Sequence, residues 1–181
     1  MNLPNKITIF RICMIPIFVI CMLIDFPYHE PIALAVFIIA AVSDFVDGNL
    51  ARSRNLVTDF GKFMDPLADK LLVCSAFIVL VELSLMPSWV VIIIIAREFA
   101  ITGLRTLAAA DNIVIAASKW GKAKTISQMV AIVTLLLYNW PVCQFKALGI
   151  LGTVLIYVAA ALTLISGVDY FIKNRKVIKS F

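Results

Sequence analysis

Ser43-Asp44-Phe45-Val46-Asp47-Gly48-Asn49-Leu50-Ala51-Arg52, followed after eight residues by Gly61-Lys62-Phe63-Met64-Asp65-Pro66-Leu67-Ala68-Asp69-Lys70, sets four carboxylates into stretches that run on into apolar sequence. Asp44 and Asp47 are spaced i, i+3 and stack on one face of a helix, which Gly48 and Ala51 extend with small residues. Gly61, Asp65 and Asp69 recur every four residues and form a second stripe. The connection between the two segments is short and centred near Asn55 and Leu56. A helical hairpin therefore brings Asp47 level with Asp65 and Asp44 level with Asp69, on the order of 10–20 Å from the turn at about 1.5 Å per residue.

Four converging carboxylates with no equal set of cations repel one another, and a divalent metal is the natural neutraliser. All-oxygen ligation selects hard ions, Mg²⁺, Mn²⁺ or Ca²⁺, over zinc. Carboxylates holding such an ion beside Arg and Lys suit a phosphate or pyrophosphate substrate. The bland alternative is that the aspartates only pair with Arg52, Arg54, Lys62 and Lys70. Pairing, however, has no need of Gly48 and Gly61, which remove bulk where something must approach the backbone.

The rest of the chain says what surrounds this hairpin. Of 181 residues 62% are hydrophobic, and the mean hydropathy is +1.02. That leaves too little polar surface to clothe a water-soluble globule. Apolar runs of roughly 20 residues match the bilayer core of about 30 Å. Six spans are predicted, 7–24, 32–52, 60–83, 88–108, 119–138 and 147–172, in a single all-α membrane domain covering 1–181. With the N-terminus inside, fifteen of the sixteen Lys and Arg residues fall on the inner side and Lys146 alone on the outer. This bias predicts six spans with both termini cytoplasmic.

The net charge of +5 is not gathered on a polar face, so nucleic acid is excluded as a partner in favour of anionic headgroups and phosphate-bearing substrates. Cys13, Cys21, Cys74 and Cys143 lack C-x-x-C spacing and read as small buried hydrophobes, with neither a zinc site nor a disulfide framework. The first span is not a signal peptide, because the polar stretch from Asp25 to Pro31 and the flanks do not fit one. His29 falls in an outer loop and is expected to be solvated, and Trp89, Trp120 and Trp140 sit near span ends, as belt tryptophans do.

Two further groups bear on chemistry. Arg97 and Arg105 lie eight apart on about one face of the fourth span, toward its inner end, and with Lys122 or Lys124 they are candidate phosphate binders, since guanidinium forks match phosphate oxygens. Structural pairing of Arg97 with Glu98, and ordinary inner-side lysines, is the competing reading. Asn5, Thr8 and Arg11 recur every three residues at the start of the first span, where they either line the mouth of the site or anchor the helix at the interface.

The pattern D-x-x-D-G-x-x-A-R, eight residues, then G-x-x-x-D-x-x-x-D resembles the signature of the CDP-alcohol phosphotransferase family, and Asp44, Asp47, Gly48, Ala51, Arg52, Gly61, Asp65 and Asp69 fill every fixed position. The segments 2–11, 95–105 and 119–125 resemble the bacterial branch whose acceptor is sn-glycerol 3-phosphate. The resemblance implies six transmembrane helices, a homodimer in the bacterial inner membrane with its site facing the cytoplasm, and displacement of CMP from CDP-diacylglycerol. It also implies that Asp44, Asp47 and Asp65 hold Mg²⁺ or Mn²⁺, that Asp69 is the general base and also touches metal, and that Gly48, Ala51, Arg52 and Gly61 line the nucleotide site. Two alternatives are a family member with another acceptor, such as serine, inositol or the phosphatidylglycerol of cardiolipin synthesis, and a cation-coupled transporter. Transport sites lie near the midplane between repeats; these carboxylates sit in the inner half and no repeat is evident.

Overall fold

The computed structural model describes residues 3–53, 59–110 and 118–175, with the side chains of 3–4, 44–53, 59–60, 62–63, 110 and 119 outside the described set. Each predicted span is a helix: α1 (Leu3–Leu23), α2 (His29–Ser53), α3 (Asp59–Glu82), α4 (Ser88–Ala110), α5 (Lys119–Asn139) and α6 (Lys146–Lys173). A single 3-10 turn, Pro141–Cys143, joins the last two. No strand occurs among the described residues.

Two helices, α1 over Asn5–Leu23 and α6 over Lys146–Lys173, are apolar and long enough to cross a bilayer. In α2 the apolar stretch among the described residues is His29–Ser43. Pairing runs α1 against α2 and α3, and α5 against α6, with α4 laid on α6; thinner contacts tie α2 to α3 and α5, and α3 to α4 and α5.

The core is built around Phe18 and Phe37, whose ring centroids lie 5.6 Å apart, and continues through Leu72, Phe77, Leu80, Val90, Ile94, Ile132, Leu136 and Ile156. Where α5 meets α6, glycine permits the approach: a Cβ on Gly152 would fall 2.6 Å from Leu135 Cδ2, and one on Gly149 would fall 2.8 Å from the Tyr138 ring. Without water between helices, association rests on this kind of close backbone packing.

The exterior is apolar and part of the interior is not. Ile92, Phe99, Ile126, Val168 and Ile172 are each more than half exposed, while Arg11, Gln128, Thr163 and Ser166 are buried. An exterior of this composition fits hydrocarbon, and buried polar groups in such a setting mark function or interhelical hydrogen bonds. Gln128 Nε2 does donate to Thr163 Oγ1 across the α5–α6 contact, at 3.3 Å.

Three local expectations are corrected. His29 is not a solvated loop residue: it opens α2 with its side chain largely buried, and Nδ1 donates to the Cys21 carbonyl at 3.0 Å. The last carbonyls of α1 have no helical donor of their own, and His29 supplies one. Of the four cysteines only Cys21 is buried, whereas Cys13 is exposed and Cys74 and Cys143 are partly so, since a thiol is apolar enough to face an apolar solvent. Arg97 is the tenth residue of the 23 in α4, near mid-helix and not toward its end, because its charge is accommodated by neighbours and not by the interface.

Candidate active site

The acidic stripe of α3 runs through Gly61, which is buried, to Asp65 and Asp69, which are partly buried, and Ala68 beside them is fully buried. Pro66, between the two aspartates, has no N–H to give to the preceding turn of α3. Opposite Asp65 stands the polar face of α1. Asn5, Thr8 and Arg11 are all buried, and Thr8 Oγ1 donates to Asp65 Oδ1 at 2.6 Å. Three-residue spacing places these side chains on one helix face, and that face is turned into the protein, so interfacial anchoring is not what holds them.

Asp44, Asp47, Gly48, Ala51 and Arg52 belong to the helical backbone of α2, and their side chains lie outside the described residues. Among the described residues no three carboxylate, histidine or cysteine side chains converge. Asp65 and Asp69 are thus the described half of the expected ligand set.

On the far side of Asp69 the helices α3, α4, α5 and α6 enclose a cavity of about 530 Å³. Its wall gathers Asp69 from α3, Arg97 and Arg105 from α4, and Lys122 and Lys124 from α5. These are residues drawn from three separate stretches of sequence, and they include every candidate phosphate binder. With Lys70 and Glu98 the wall carries five cations against two carboxylates, an imbalance that favours an anion carrying more than one charge. The first turn of α5 also faces this space: Ser118 caps it by accepting from the Gly121 N–H at 3.0 Å, and the helix N-terminus adds positive potential.

The cations are not independent of one another. Glu98 Oε1 accepts from Arg97 Nη1 at 2.8 Å and from Lys124 Nζ at 2.5 Å. Lys124 is almost wholly buried, its side chain 4% exposed, and a buried ammonium is tolerated only with such a partner. Both readings of Arg97 and Lys124 therefore hold at once: they are paired structurally with Glu98, and they line the cavity. Arg105 and Lys122 are exposed and meet the cavity from its open side. A larger cavity, about 720 Å³, lies by the α5–α6 turn between Ser84, Tyr138 and Lys146, and no candidate residue lines it.

The sequence profile of the CDP-alcohol phosphatidyltransferase family matches residues 1–165. The chain belongs to this family. Among its relatives, the CDP-diacylglycerol--glycerol-3-phosphate 3-phosphatidyltransferase of Bacillus subtilis is 48% identical over 192 aligned positions, covering 99% of this chain and 98% of the relative. Proteins of the same name from Rickettsia bellii and Haemophilus influenzae are 39% identical, covering 97% and 93% of this chain and 96% and 91% of theirs.

Within this CDP-alcohol phosphatidyltransferase, two residues of the cavity escaped the sequence reading. Glu98 was legible only as a neighbour of Arg97, because its second partner Lys124 is 26 residues away. Tyr170 carries no motif: it sits on α6, beyond the signature, and reaches the cavity only through the packing of α6 on α4.

Proposed function

We propose that this chain transfers the phosphatidyl group of CDP-diacylglycerol to sn-glycerol 3-phosphate, forming phosphatidylglycerophosphate and releasing CMP. The observation that carries this reading is the single cavity in which the acidic stripe of α3, through Asp69, meets Arg97, Arg105, Lys122 and Lys124. A carboxylate beside a cationic wall suits an acceptor with a hydroxyl at one end and a phosphate dianion at the other. Serine, inositol and phosphatidylglycerol present no free phosphate dianion for such a wall. The extent and grade of the similarity to relatives bearing this activity in their names support the same choice.

In this reading Arg97, Arg105, Lys122 and Lys124 hold the acceptor phosphate, which leaves its hydroxyl toward Asp69. The hydroxyl oxygen attacks the phosphorus that bears diacylglycerol, the bond from that phosphorus to the oxygen of CMP breaks, and Asp69 takes the hydroxyl proton. Gly48, Ala51, Arg52 and Gly61 line the nucleotide side. Asp65 is oriented by Thr8, so an oxygen-only donor set stands ready on α3, and such a set fits a hard divalent cation. Asp65 and Asp69, with Asp44 and Asp47, would hold Mg²⁺ or Mn²⁺, whose chemistry is to offset charge on the pyrophosphate as CMP departs.

The same reading places six spans in the cytoplasmic membrane of a bacterium, both termini and the cavity on the cytoplasmic side, and the enzyme as a homodimer. The apolar exterior and the one-sided distribution of Lys and Arg support the membrane and its orientation.

The test is a panel of radiolabelled acceptors offered to purified protein in detergent with CDP-diacylglycerol and Mg²⁺. Glycerol 3-phosphate is expected to yield a lipid product with equimolar CMP, and serine, inositol and phosphatidylglycerol none. Absence of CMP release with every acceptor would remove the enzyme reading; release with another acceptor alone would remove the choice of substrate.

A further inference from the structure

Two polar atoms of the cavity wall have no hydrogen-bond partner among the described residues: Arg97 Nε and the hydroxyl of Tyr170, both buried. Unpaired buried polar atoms are costly and rare in folded proteins, and a pair of them in one cavity asks for an explanation. Both atoms can donate, and Arg97 can only donate. What satisfies them together is a group made of acceptors.

The placement of Tyr170 is not accidental packing at a helix end. Its ring is buried against Ile101 and Leu104 of α4, on the face of α4 that carries Arg97 and Arg105 at i, i+4, i+7 and i+8 spacing. Both arginines line the same cavity as the tyrosine. One turn earlier on α6 is Gly167, where a Cβ would stand 3.3 Å from Arg97 Cγ. The same face of α6 thus leaves room for the Arg97 stem and then supplies the tyrosine. Nη1 of Arg97 is already held by Glu98, and Nε is the buried donor of that guanidinium with no partner among the described residues.

We infer that Tyr170 is a specificity-determining residue whose hydroxyl, together with Arg97 Nε, donates to the phosphate oxygens of the acceptor. This rests on the reading of the cavity as the acceptor site and adds a neutral donor to its cations. The hydroxyl selects for the phosphorylated alcohol, because an acceptor without phosphate leaves two buried donors unanswered.

The decisive variant is Tyr170→Phe, which keeps the ring on Ile101 and Leu104 and removes only the oxygen. Loss of a hydrogen bond to a charged oxygen is expected to raise KM for glycerol 3-phosphate about tenfold, with kcat within about twofold and KM for CDP-diacylglycerol unchanged. Equilibrium dialysis with radiolabelled inorganic phosphate, which needs no turnover, should show the same loss of affinity. The Tm of the ligand-free protein should stay the same or rise, since the hydroxyl has no partner among the described residues to lose. An unchanged phosphate affinity, or a weakened one accompanied by a lower Tm, overturns the assignment. If wild-type protein releases no CMP with glycerol 3-phosphate, the proposed reaction falls, while the dialysis comparison still decides for or against Tyr170.

Discussion

Thr8 and Asp65, 57 residues apart in sequence, are joined by a 2.6 Å hydrogen bond in which the hydroxyl of α1 donates to the carboxylate of α3. Because the donor is short and buried, it fixes one oxygen of Asp65 and leaves the other for a ligand. Thr8→Val keeps shape and removes the donor. We expect kcat/KM to fall about tenfold, as for a lost hydrogen bond to a charged group, and Thr8→Ser to retain most activity. Equal activity in Thr8→Val and wild type would show that Asp65 needs no such support.

Asp69 of α3 lines the same cavity as Arg97 and Arg105 of α4. Asp69→Asn preserves size and one acceptor oxygen but cannot take a proton. Turnover is expected to drop by about 10²–10⁴, the usual contribution of a positioned general base, while CMP binding measured by dialysis changes little. Near-normal turnover by the purified variant would end the role assigned to Asp69.

Glu98 stands between Arg97 and Lys124, and its removal leaves Lys124 buried without its hydrogen-bonded carboxylate. Glu98→Ala is expected to destabilise the protein by about 3–5 kcal/mol, read as a lowered Tm in detergent. Replacing both, Glu98→Ala with Lys124→Met, should recover part of that loss, since Arg97 is then the one cation of the group left without its carboxylate. If the double variant is no more stable than Glu98→Ala, the ion pair is not what holds α4 to α5 here.

Gly152 of α6 faces Leu135 of α5, which is itself 2% exposed and has no space to withdraw. Gly152→Ala should therefore cost about 1–3 kcal/mol through overpacking. Leu135→Ala in the same chain is expected to relieve part of it, so that the pair is less destabilised than the two changes summed. Additive losses in the two Tm values would indicate that the helices separate elsewhere to admit the methyl group.

The helices and the cations of the cavity were legible without coordinates, because each depends on short-range regularities, whereas the convergence expected of Asp44 and Asp47 lies outside the described residues. Apolar runs of one length mark the spans; three- and four-residue spacings put Asn5, Thr8 and Arg11, and then Gly61, Asp65 and Asp69, on single faces. Which of several local options each residue takes was settled by contacts between distant segments. Thr8 serves Asp65 and not the interface, and Lys124 is buried on Glu98 while still facing the cavity. His29 tethers α1, although its surroundings in sequence are a polar turn. Tyr170 was invisible for the same reason: nothing near it in the chain hints at phosphate, and only the packing of α6 on α4 carries it to Arg97. Periodicity encodes which face of a helix is special, whereas the partner that face meets is chosen by the energetics of the whole bundle.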